Sequence, residues 1–145
     1  MRTVLENVGL VPLLLPVVWS ATAASLILDR AGFEAAGIAW QLGADAGTGL
    51  SSSHKVTPTL QESDTTADAD FTTVAAADMV YAPTVVDSTS KDETVQRIEY
   101  KGSKRYIRLL LTETGTVSCP MAILGLLGRA TNAPVSAPTL GITAT

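Results

Sequence analysis

The chain has 145 residues, with ten Lys and Arg against fourteen Asp and Glu, a formal charge of −4; charged residues make up 17% and hydrophobic ones 46%. That length suits one domain with a proper core, since two would each be marginal. The acidic balance argues against a nucleic-acid groove, and a single cysteine, Cys119, excludes an internal disulfide.

Glu and Lys are scarce, while Thr, Val, Ala, Ser and Gly are abundant, a balance that favours strands and turns over amphipathic helices. The expected fold is mostly β, a small antiparallel β-sandwich or jelly-roll-like barrel spanning residues 20–130. Extended arms are expected at residues 1–19 and 131–145.

The opening run "VGLVPLLLPVVWSATAAS" imitates a secretory signal. Glu6 offsets Arg2, however, and Pro12 and Pro16 interrupt the helix that such a signal forms. The run also falls short of the about 20 apolar residues that a membrane span needs. It is expected as an arm in extended or edge-strand form, packed in part on a neighbouring subunit through Leu10, Pro12, Leu14 and Pro16.

In the next segment Ile38, Trp40 and Leu42 alternate with Ala39, Gln41 and Gly43, the period-2 pattern of a half-buried strand. A flexible loop, "GADAGTGLSSS", leads to "KVTPTLQES", where Val56, Pro58 and Leu60 share one face and Pro58 restricts the strand to an edge or a bulge. The acidic run "LQESDTTADADF" follows. It misses the EF-hand pattern, because Asp64, Asp68 and Asp70 are spaced by four and two, with no Gly at the sixth position and no Glu at the twelfth. Glu62 and Asp64 have the spacing of an acid and base pair, but nothing else in the chain supports a glycosidase cleft. A hairpin turn with a solvated tip, its Asp side chains capping turn amides, fits better. That tip would face a basic hairpin of a neighbour.

A short strand and turn are expected over "FTTVAAADM", and a polar connection over residues 82–94. The strongest β signal comes next. Residues 95–100 and 106–111 alternate on either side of "KGS", and an apolar strand at 116–127 is expected to be buried on both faces, giving two hairpins in series. Six of the ten basic residues cluster here: Lys91, Arg97, Lys101, Lys104, Arg105 and Arg108. Asp92, Glu93 and Glu99 interleave with them, so a salt-bridging surface between subunits, using Arg97, Lys104, Arg105 and Arg108, is preferred to nucleic-acid binding. Tyr100 and Tyr106 are expected to brace the hairpin across its strands. After Arg129 the tail is uncharged, with Pro134 and Pro138 at Ala-Pro steps, and is expected to lie extended on a partner.

Cys119 is expected as a small buried hydrophobe, and His54, the one histidine, has no second ligand for a metal. No phosphate-binding glycine loop is present. No cofactor, no metal, no membrane contact and no enzymatic activity are expected.

The stretches "TLQESDTTADADFTTVAAADM", "VQRIEYKGSKRYIRLLLTETGT" and "AILGLLGRATNAP", with the arm "NVGLVPLLLP", resemble the capsid decoration (cement) proteins of tailed bacteriophages. The resemblance covers roughly the second half of the chain and the arm, and Glu99 stands where that pattern has Gly. It implies a small β-sandwich or barrel on the outer capsid surface of the virion, often a homotrimer, whose partners are the major capsid protein and itself. A tail or head-to-tail joining protein, or a carbohydrate-binding sandwich module, are the alternatives.

Overall fold

The computed structural model describes residues 8–131. Ten strands form two antiparallel sheets packed face to face, a β-sandwich. In chain order they are β1 (Val8–Trp19), β2 (Ala23–Ala24), β3 (Leu28–Asp29), β4 (Phe33–Leu42), β5 (Lys55–Ser63), β6 (Thr72–Thr73), β7 (Met79–Val80), β8 (Val95–Tyr100), β9 (Tyr106–Thr114) and β10 (Cys119–Ala130). The first sheet has the order β1-β10-β4-β8-β7; the second runs β2-β9-β5-β6, with β3 also paired to β9.

The core lies between the sheets and follows the period-2 alternation. Ile38 and Trp40 of β4, Ile98 of β8 and Ile123 of β10 point inward from the first sheet, against Val56 and Leu60 of β5 and Ile107, Leu109 and Leu111 of β9. Each fully buried Leu or Ile of this set contributes about 1.5–3 kcal/mol relative to exposure. Pro58 sits where the expectation put it. The Val56 N–H points away from β9 to the Val86 carbonyl, 3.0 Å away, so Pro58, of the same parity, aims its donorless nitrogen at the open edge of β5. Gly115 turns the chain after β9 at φ +70°, and a Cβ there would come within 2.3 Å of the Ser53 carbonyl oxygen.

Three expectations change. Residues 95–114 are not a hairpin, because β8 pairs with β4 and β7 in the first sheet whereas β9 pairs with β5 in the second. The link at residues 101–105 is therefore a crossover between sheets, and β9 to β10 is another, so neither expected hairpin forms. Tyr100 and Tyr106 consequently are not cross-strand neighbours. The last strand, β10, is central but not buried on both faces: Met121, Ile123 and Leu127 are buried while Leu124 on the opposite face is 39% exposed. No second layer covers that outer face among the described residues.

The segment expected as an N-terminal arm takes the edge-strand form over Val8–Trp19, paired along β10 with two register shifts around Leu14. It is an integral edge of the sandwich, since Leu13 and Trp19 are core residues at 1% and 5% exposure. Pro134 and Pro138, with most of the expected C-terminal arm, lie outside the described residues.

Candidate interaction surface

The acidic run makes the expected turn. β5 and β6 pair at Gln61–Thr73 and Glu62–Thr72, with a 3₁₀ turn at Asp68–Asp70 between them. Its acids, however, meet bases of their own chain. Asp64 pairs with Lys104 and Asp68 with Arg108, while Asp70 accepts from the Thr65 hydroxyl. Arg108 is the most enclosed of these. It is 8% exposed, its guanidinium lies 4.1 Å from the Phe71 ring centroid, and its Nε donates to Gln61 Oε1 at 2.8 Å. The acidic loop thus acts as a lid over the outer side of β9.

Two further basic residues serve the crossover at 101–105. Arg105 makes a paired contact with Asp29, Nε to Oδ1 at 2.9 Å and Nη2 to Oδ2 at 2.8 Å. Arg30 Nη1 donates to the Gly102 carbonyl at 2.6 Å. The hydrogen bond from Arg105 holds the Asp29 carboxyl below the ordinary carboxylate value of 3.8, and that from Lys104 does the same for Asp64. Lys104, Arg105 and Arg108 are therefore engaged within the chain. Arg97 is placed differently: it is exposed, stacks over Tyr81 at 4.7 Å, and has no ion-pair partner among the described residues.

Cys119 is fully buried, and burial, with the Asp45 carboxylate 3.7 Å from its sulfur, pushes the thiol up to about 12. It is a neutral apolar filler at physiological pH, as expected. His54 lies in a turn, where its Nδ1 is 3.1 Å from the Thr116 backbone N–H. Among the described residues no group of three or more His, Cys, Asp or Glu side chains is placed to hold a metal ion, and no helix is long and apolar enough to cross a membrane. Three of the five Trp and Tyr residues, Trp19, Trp40 and Tyr100, are core residues, so an aromatic sugar-binding platform has little to draw on.

What stands open is apolar. Residues 8–28 contain no charged side chain, and at this edge of the first sheet Leu15, Val17, Val18 and Leu26 are 46–63% exposed. The Leu26 N–H donates to the Leu13 carbonyl at 2.9 Å, which fixes Leu26 against β1. A second open surface is the outer face of the same sheet. A depression of about 800 Å³ lies there, lined in part by Leu10, Gly37, Arg97, Glu99 and Leu126. Gly37 is needed for its floor, because a Cβ would sit 2.7 Å from the Ile98 carbonyl oxygen of β8.

Of the ten expected contact residues, Leu10 and Pro12 lie on the outer face and Pro16 is exposed on the β1 edge, whereas Leu14 packs partly against the core. Sequence reasoning passed over Leu15, Val18 and Leu26, although the absence of charge across residues 8–28 is the signal that marks them. No family model and no curated protein sequence matches the chain.

Proposed function

We propose that this protein is a capsid decoration protein, which binds the outer surface of an icosahedral shell and stabilises contacts between capsomers. The observation that carries the reading is the charge-free edge of the first sheet, where Leu15, Val17 and Val18 stand exposed on a strand anchored in the core by Leu13 and Trp19, with exposed Leu26 held beside it. An apolar edge on a rigid sandwich suits docking against another protein. The resemblance noted from the sequence supplies the partner, the major capsid protein, and implies a homotrimer on the shell.

The mechanism is linkage. A protein that binds the assembled, expanded shell and not its dissociated subunits stabilises that shell in proportion to occupancy. Many copies on one lattice turn a modest contact into firm attachment. In this reading the protein has no enzymatic activity, no cofactor and no direct contact with nucleic acid or membrane, and the virion exterior is its location.

The reading is tested by incubating the purified chain with expanded shells that lack it, then measuring co-sedimentation and the temperature at which the shells release their DNA. Co-sedimentation at saturating copy number with a raised release temperature supports decoration; a chain that stays in the supernatant contradicts it.

A further inference from the structure

The outer face of the first sheet carries two neighbouring rows of side chains that are chemical counterparts. Pro12, Leu124, Ala39 and Arg97 stand in register across β1, β10, β4 and β8. Two residues along each strand, on the same face, Leu10, Leu126, Gly37 and Glu99 form the second row. Each row reads apolar, leucine, small, charged, and the charges are opposite. Arg97 and Glu99 are both exposed, and neither has an ion-pair partner among the described residues.

We infer that this face pairs with the same face of a second copy of the chain, about a twofold axis that runs across the strands between the two rows. That operation lays the first row of one copy on the second row of the other. Arg97 then opposes Glu99 of the second copy, and the reverse contact repeats it, as an isologous interface requires. Leucine meets leucine, and Ala39 meets Gly37, where the missing side chains let the sheets approach to the spacing of about 10 Å at which sheets pack. The ring of Tyr81 beneath Arg97 holds the guanidinium at the rim of the face.

Four strands about 4.8 Å apart, over roughly 27 Å of β10, give a footprint on the order of 500 Å² per copy. A standard interface buries about 800 Å² per partner, so this contact belongs to the weak, exchanging class. The inference does not depend on the capsid reading.

The test is sedimentation velocity on the full chain, alone, at concentrations up to about 1 mM, where a contact of this size is populated. The expected result is a monomer–dimer equilibrium. Arg97→Glu and Glu99→Arg each place like charges across the contact and are expected to raise the dissociation constant about tenfold or more, and the double swap is expected to restore it. Both positions are exposed, and thermal melts confirm that each variant is folded. A wild-type monomer throughout, a trimer indifferent to the single swaps, or a double swap as dissociated as the singles would overturn the inference. None of these outcomes bears on shell binding, which is measured separately.

Discussion

The Tyr100 hydroxyl, at the end of β8 in the first sheet, donates to the Glu62 carboxylate on β5 in the second, and the same oxygen accepts the Lys104 backbone N–H at 2.9 Å. One buried phenol thus ties both sheets to the crossover between them. Burial, reinforced by the Glu62 carboxylate, raises the Tyr100 pKa, so the hydroxyl keeps its proton.

Replacing Tyr100 with Phe keeps the ring and removes the oxygen, leaving the Lys104 N–H and one face of the Glu62 carboxylate without a partner. The expected cost is about 1–3 kcal/mol in urea unfolding, the range for stranding buried polar groups. A change below about 0.5 kcal/mol, the level of an ordinary surface substitution, would show that this bond is dispensable.

Arg108 is expected to be a stability residue despite its charge. Arg108→Ala removes the stack on Phe71 and the donors to Gln61 and Asp68, and is expected to cost about 2–4 kcal/mol and to loosen the acidic loop. Lys at this position should recover little of that, because it has neither the fork nor the planar face. Arg97→Ala, at an exposed site, is expected to leave the unfolding free energy within about 0.5 kcal/mol. Equal losses at the two positions would refute the distinction.

These two arginines show what was legible in the sequence. Alternation marked β4, β5, β8 and β9 well, because an inward apolar residue at every second position is a local signal, whereas β10 showed only as a continuous apolar run that hid its exposed outer face. Which strand pairs with which is not local: a five-residue link after Tyr100 can close a hairpin or cross to the other sheet, and only core packing decides. For the same reason the acidic loop was expected to face a neighbour's bases, when Asp64 and Asp68 reach Lys104 and Arg108 forty residues away in the same chain. Alternation alone puts Arg97 and Glu99 on one face of β8, but the leucines and small residues that stand in register with them come from β10 and β4, which only the strand pairing places there.

Acid should weaken the fold. Asp29 and Asp64 have folded pKa values below the ordinary 3.8, so their ionised forms are favoured by folding. That stability is fully present above the unfolded value and is lost as pH falls through the lowered folded values. The melting temperature is expected to be level from neutrality to about pH 5 and to decline below about pH 4. Asp29→Asn should make the decline shallower, whereas an unchanged pH profile in that variant would remove the Asp29–Arg105 pair from the account.

On β1, position decides the outcome. Leu13→Ala opens a core cavity and is expected to cost about 2–5 kcal/mol. Val18→Lys, at 63% exposure, should leave the melting temperature nearly unchanged while abolishing attachment to shells. Removing residues 1–16 would delete Leu13 with the edge, and so would confound binding with folding. A Val18→Lys protein that still saturates shells would mean the docking surface lies elsewhere.

The capsid reading is tested most directly by counting copies. Quantitative mass spectrometry of purified particles should find this chain in near-stoichiometric ratio to the major capsid protein. A ratio corresponding to about a dozen copies or fewer, as a single ring at a joint would give, or absence from the particle, would contradict a decoration role.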